Sequence, residues 1–437
     1  MKFRNIAIVL LAISAMIFSF EITSNYVRIN GASDLWGQMI GSRLIVERNQ
    51  SPYFFKWNDQ TDLRYVDPTD DDMYPVSRVT LNPLLCVVLY PLSVLDFETN
   101  KYLQYVVNIV LLLFCILLIY RYFVKFEVKD LLFISFMVFC SSAWIWHCAE
   151  GQKYVIFSFY LFCVFLFFHL QRYTLSGFFS VFIVALKINS GFAIFLMLLT
   201  VLNRKEVLVP YVKGLLAGIG LCAALLISFT PLVAWKQYFQ AMDFWKNELN
   251  NSVERNDGFL QKKSALKILK LGKDSLGVRF PFDKELRHNN FCISRWVFKF
   301  TEIPQNSYRY LVLYLLISSC FFLFYLRIGV LTNNTINFAV VMMIVYNLSE
   351  YFLPATRLPY HYVQWFFPTI LVYKRMYFGK NLMTVFFAIG LSMNTIFLSF
   401  IPYGQIIGEL FLIVSLLLFL YMQSDEYPQK YPVVSKV

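Results

Sequence analysis

From Val106 to Tyr120 the chain carries no charged residue, and apolar runs of this kind recur almost to its end. A charge-free run of this length suits a lipid-crossing helix, and its repetition makes the chain polytopic. Composition agrees: 58% of the 437 residues are apolar, 19% are aromatic and only 15% are charged. Soluble chains lie nearer about 45–50% apolar and about 25% charged. With only 17 Gly and 15 Pro, disordered and fibrous classes are excluded as well. The net charge of +12 then reads as basic loops facing anionic lipid and a membrane potential, not as a nucleic-acid surface.

None of the eight Cys forms a CxxC pair. Six of them (Cys86, Cys115, Cys140, Cys163, Cys222, Cys320) sit inside apolar runs, and only Cys148 and Cys292 are expected near water. That is neither a disulfide framework nor a zinc pattern. At the amino end Lys2 and Arg4 precede the apolar run Ile6 to Phe20. A cleaved leader would look similar, with Ala12 to Ala15 as its site, but a retained first helix suits the membrane protein that follows.

Thirteen apolar segments follow from the sequence: 5–23, 81–97, 101–120, 131–147, 154–170, 175–188, 191–202, 211–230, 308–326, 336–350, a segment around 363–373, 382–400 and 405–421. Two long polar stretches, 24–80 and 231–306, interrupt them. The positive-inside bias puts Lys2 and Arg4, Arg121 with Lys125 and Lys129, Arg172, Arg204 with Lys205, Arg327, and Lys374 with Arg375 on the cytoplasmic side. All of them fall there if 81–97, which contains Pro83 and Pro91, is re-entrant or lies along the outer face. The expectation is an all-α membrane protein of one domain spanning 1–437, with about 12 crossings and both ends inside. Arg172 and Arg204 also predict that 175–202 is a pair of short helices whose tip is Lys187 to Gly191. The polar material at 24–80, Glu150 to Gln152, the Lys187 tip, 231–306 and Pro354 to Tyr362 then gathers on the extracytoplasmic face.

Several residues on that face could carry chemistry. Asp34 follows the first helix, and a carboxylate near the membrane is costly unless hydrated or paired. It reads either as a functional group or as a solvated or helix-capping aspartate. Lys187 is an ionisable residue within an apolar run, suited to a phosphate oxygen or to snorkelling at the interface. Arg357 and His361 suit anion binding or proton transfer, or else an interfacial belt. Asp70 to Asp72 reads as a solvated acidic turn more readily than as a metal site. Lys263, Lys267 and Lys270 suggest an amphipathic helix on lipid headgroups, and Asn250 to Ser252 is a formal glycosylation sequon.

These pieces occur in a telling order. Asp34 leads to Ser51-Pro52-Tyr53, then to Asn82-Pro83-Leu84 and Tyr90-Pro91-Leu92. Gly151-Gln152 follows, then Arg172, Gly177 and Lys187, and finally Thr356-Arg357, His361-Tyr362 and Pro368. The order resembles glycosyltransferase family 87, the bacterial mannosyltransferase-like proteins of the GT-C fold that use polyprenyl-phosphate sugars. Leu35 replaces an aromatic residue, Asn82 stands where a Pro-Pro pair would begin, the Gly before Pro-Tyr is absent, and Leu358-Pro359 is extra.

The resemblance implies a hexose donor, mannose first, linked through phosphate to a polyprenol in the cell inner membrane. It implies a glycan or glycolipid acceptor whose hydroxyl attacks with inversion on the outer face. Asp34 would be the catalytic base, with Gln152, Lys187, Arg357, His361 and Tyr53 binding substrate. No metal ligand set stands out in the sequence, so no cofactor is expected, although a divalent ion serves some relatives of this fold. The competing readings are a polysaccharide polymerase or ligase, which would rely on arginines in its outer loops, and a lipid-linked-sugar transporter. A transporter would show internal repeats, and the stretches 24–80 and 231–306 are unlike one another.

Overall fold

The computed structural model describes residues 3–29, 32–58, 60–70, 74–251, 292–293, 308–327, 335–353, 359–377, 382–398, 401 and 403–422. Among them there is no β-strand, only an isolated bridge between Ser141 and Thr395. Six helices are long and apolar enough to cross a bilayer. They are α1 (Phe3–Ile29), α4 (Phe97–Tyr122), α10 (Lys205–Phe229), α12 (Tyr308–Arg327), α13 (Thr335–Phe352) and α16 (Gly404–Met422). A seventh crossing arises if α6 (Ser142–Ala149) and α7 (Tyr154–His169), bent by 111° at their junction, act as one span.

The protein is thus a polytopic membrane protein, with six long spans where about twelve crossings are expected from the sequence. The remaining apolar segments are shorter or broken. Segment 131–147 splits into α5 (Val128–Ile134), a π-helical turn at Ser135–Phe139 and α6. Segment 81–97 holds only α3 (Pro83–Ser93), 11 residues long with Pro91 inside it. At about 1.5 Å per residue it reaches roughly half of the hydrocarbon core. The pair expected over 175–202 forms α8 (Tyr173–Leu186) and α9 (Gly191–Val201), joined by a single 3-10 turn at Ile188–Ser190.

Lipid-facing and interior helices separate clearly. Leu10, Ile17, Val110, Leu117, Leu216 and Leu316 are large apolar residues left exposed on α1, α4, α10 and α12. In contrast, α13 is buried along nearly its whole length and forms the centre of the bundle. Helices α8 and α10 pack through glycine. A Cβ on Gly177 would collide with the Tyr211 carbonyl, and one on Gly214 with the Thr174 carbonyl. Lipid supplies no hydrophobic drive between helices, so such close backbone approach is what joins them.

The stretch 24–80 is not simply a loop. Helix α1 runs on to Ile29, and α2 (Ser33–Arg48) begins immediately afterwards. Arg43 ties α2 down by donating from Nε to the Ser93 carbonyl at 2.6 Å, and from its two terminal nitrogens to Arg64 at 2.8 Å and Leu95 at 2.7 Å. Asp70 is buried and pairs with Lys56 at 2.8 Å, so it is not the solvated turn expected. Asp71 and Asp72 lie outside the described residues, as do the lysine-rich stretch at 262–273 and Ser252. Cys148 and Cys292 are buried, whereas Cys320 in α12 is exposed. The expectation that Cys148 and Cys292 lie near water is therefore not met: both are packed within protein.

Candidate functional site

Asp34 sits in the first turn of α2, where the helix dipole favours a carboxylate. The side chain that holds it comes from a distant turn. Gly151 has φ of +66°, a conformation L residues adopt reluctantly, and it turns the chain from α6 into α7. A Cβ there would also meet the Cβ of Leu35 at 3.2 Å. This close fit sets Gln152 beside Asp34, and its Nε2 donates to Asp34 Oδ2. Lys153, fully within protein, donates to the Gly151 carbonyl at 2.8 Å and to Gln104 Oε1.

Protein surrounds Asp34 on most sides, yet its surface remains accessible to solvent. The two facts fit a carboxylate lining a recess that opens to solvent. Desolvation raises its pKa above the usual carboxylate value, while the Gln152 hydrogen bond and the charges of Arg78 and Lys153 pull it back. The open side limits the rise. A carboxylate whose pKa is raised is a stronger base than a free one.

The second half of the site centres on Glu350, at the end of α13. Glu350 Oε1 lies 2.9 Å from Lys187 Nζ, and Oε2 lies 3.4 Å from His361 Nδ1. Lys187 follows the last residue of α8, and His361 lies in a 3-10 helix at Pro359–Trp365. Asn82 fixes the lysine's approach: its Nδ2 donates to the carbonyls of Ala185 and Leu186, both at 2.9 Å, while its Oδ1 caps α3 through the Leu85 N–H. The Asn that departs from the family pattern therefore joins two helix ends.

Tyr154 connects the halves. It follows Gln152 by two residues, and its ring lies 4.2 Å from Lys187 Nζ and 4.3 Å from the His361 ring. Tyr360 lies 5.6 Å from Tyr154 and feels the carboxylates of Asp34, Glu150 and Glu350 together. Burial, with those carboxylates adding to it, raises the Tyr360 hydroxyl well above its usual pKa.

Of the residues expected from the sequence, the structure pairs Asp34 with Gln152 and brings Lys187 to His361. Tyr53 is elsewhere: it is fully buried, packs with Ile45, Val76, Val79 and Cys86, and donates its hydroxyl to the Leu81 carbonyl at 2.7 Å. Its ring and its hydroxyl are both engaged within the protein. Arg357 lies outside the described residues. Glu350, Tyr154 and Lys153 were missed. Glu350 had a readable signal, since it is the one charged residue in the helix Thr335–Phe352. Among the described residues no three His, Cys, Asp or Glu side chains gather as a metal site.

Residues 80–268 match the model of Glycosyltransferase family 87. The matched stretch contains Asn82, Gln152 and Lys187, whereas Asp34, Glu350 and His361 flank it. No curated protein and no solved structure matches the chain.

Proposed function

We propose that the chain is a glycosyltransferase similar to family 87, and that it works as follows. A hexose, mannose first, passes from a polyprenyl-phosphate donor to an acceptor hydroxyl, with inversion. Asp34 takes the acceptor proton. Lys187 and His361, with Arg357, stabilise the departing phosphate as negative charge develops on it. Gln152 orients the base. The acceptor is a glycan or glycolipid. The architecture is GT-C, with the shorter apolar helices completing about twelve crossings, in the cell inner membrane.

The observation that carries this reading is a pairing of opposites. A carboxylate is held by Gln152, and two residues further along the chain Tyr154 packs against Lys187 and His361, the two basic side chains of the Glu350 cluster. Inverting transfer needs a base on one side of the anomeric carbon and positive charge on the other. Extracytoplasmic orientation follows from the basic short loops.

The test is a transfer assay in membranes with radiolabelled polyprenyl-phosphate hexoses. Label should reach a glycan or glycolipid acceptor. Polymerisation of preassembled repeat units without hexose transfer would favour the polymerase reading instead. Reporter fusions after residues 125 and 205 should read cytoplasmic, and an external reading at both would reverse the topology.

A further inference from the structure

We propose that Glu350 is a positioning residue that spaces Lys187 and His361 and holds His361 in its charged, proton-donating form. This rests on the reading that both basic groups meet the donor phosphate.

A carboxylate in an apolar, buried helix is costly unless it is paired, so its presence calls for a reason. Each oxygen of Glu350 faces a different basic group, delivered by a different segment. The Tyr154 ring walls both of them in. Lys187 alone would disfavour a second positive charge nearby, since like charges lower a histidine's proton affinity. A carboxylate between them cancels that effect and lets ammonium and imidazolium coexist.

The chemistry needs both. As the sugar leaves, its C1–O bond to phosphate breaks and the electron pair stays on the phosphate oxygen. That group then goes from one negative charge to two. Lys187 offers a fixed charge, and His361 offers a proton to the same oxygen. The acceptor oxygen bonds to C1, and its proton goes to Asp34. The proton gained by Asp34 matches the one lost by His361, so solvent exchange resets the site.

Among the described residues, the groups facing His361 include Glu350 from α13, Lys187 after α8, Tyr154 from α7 and the adjacent Tyr360. Tyr314 and Tyr346 face Glu350 from α12 and α13. Asp34 and Glu150 act from beyond Tyr360. Glu350 is therefore the only carboxylate, among the described residues, shown at ion-pair distance from the imidazole.

The experiment is the pH dependence of kcat for the purified full-length enzyme with a polyprenyl-phosphate-hexose donor. Glu350→Gln should lower kcat by about 10- to 100-fold, short of the full contribution of a general acid. Its alkaline limb should move to lower pH by about one unit, because imidazolium loses its counter-charge. Glu350→Asp keeps the charge and should hold the limb near its wild-type position even if kcat falls. In a His361→Asn background, Glu350→Gln should cost less than about twofold more, since its effect runs through His361.

An unmoved alkaline limb in Glu350→Gln, or fully multiplicative losses in the double variant, would overturn the proposal. If Glu350→Gln does not fold, a limb displaced in Glu350→Asp as far as expected for Glu350→Gln would overturn it equally. The underlying reading fails separately. Should wild type transfer from this donor while Lys187→Ala and His361→Asn leave kcat and donor KM unchanged, the phosphate side has been misassigned whatever Glu350 does.

Discussion

Among the buried carboxylates that pair with a lysine, Asp130 and Glu350 have different surroundings. Asp130 accepts the Tyr373 hydroxyl at 2.9 Å on one oxygen, and on the other the Lys374 ammonium at 2.9 Å and the Glu127 backbone N–H at 2.8 Å. Glu350 has two basic groups at ion-pair distance among the described residues, at 2.9 Å and 3.4 Å. The first carboxylate is saturated by short hydrogen bonds from its own chain, including a backbone donor. The second faces two basic side chains delivered by different segments. A buried acid–lysine pair thus marks structure in one region and a candidate site in the other. The distinction lies in how the lone pairs are filled, not in burial.

The sharpest way to break this comparison starts beside the second region, at Asp34. Asp34→Asn should cut transfer by at least about 10²-fold, the lower limit for loss of a general base. Donor binding should change little, because the amide keeps the shape. Turnover above about a tenth of wild type would make Asp34 structural and turn attention to Glu150. Next, Lys187→Ala should raise donor KM and lower kcat together, by roughly 10²–10³ in kcat/KM. A change in stability without a kinetic change would place Lys187 in the structural class with Lys374.

Asp130→Ala tests the other region. It strands Lys374 and the Tyr373 hydroxyl, and should lower stability by about 3–5 kcal/mol, read from thermal unfolding in detergent. The folded enzyme should keep its KM and, within about twofold, its kcat. A selective loss of kcat would erase the contrast between the two carboxylates.

The smallest effect concerns Asp34 and pH. Its folded pKa is raised above the ordinary 3.8, so its ionisation opposes folding. The stability it contributes is complete below that value and is lost as pH rises through the folded pKa. At pH 7 Asp34→Asn should therefore melt at the same temperature or slightly higher, and near pH 3 the two proteins should coincide. A clearly lower midpoint at pH 7 would show that the carboxylate stabilises the fold.

Much of the layout was legible in the sequence because lipid imposes simple rules. The apolar runs, the break at Lys187 and the Gly151-Gln152 turn all follow from segment length, flanking charge and residue type. The partition of 131–147 was not legible, because a π turn leaves no compositional trace in an apolar run. Asp34 and Lys187 stood out as ionisable groups at apolar borders. Glu350 met the same criterion at the end of the segment 336–350 and was passed over. The setting of Tyr53 was not legible, because a Pro-Tyr pair shows nothing of whether the hydroxyl already has a partner.

The amide of Asn82 has an electrostatic consequence of its own. A helix end exposes carbonyl oxygens equivalent to about half a negative charge, which attracts a cation and repels an anion. Lys187 stands at such an end, where its ammonium would ordinarily neutralise the helix and a phosphate would be unwelcome. By hydrogen-bonding the Ala185 and Leu186 carbonyls, Asn82 quenches part of that negative pole from the side. Less of the lysine's charge is then taken up by its own helix end, and the terminus of α8 repels an anion less.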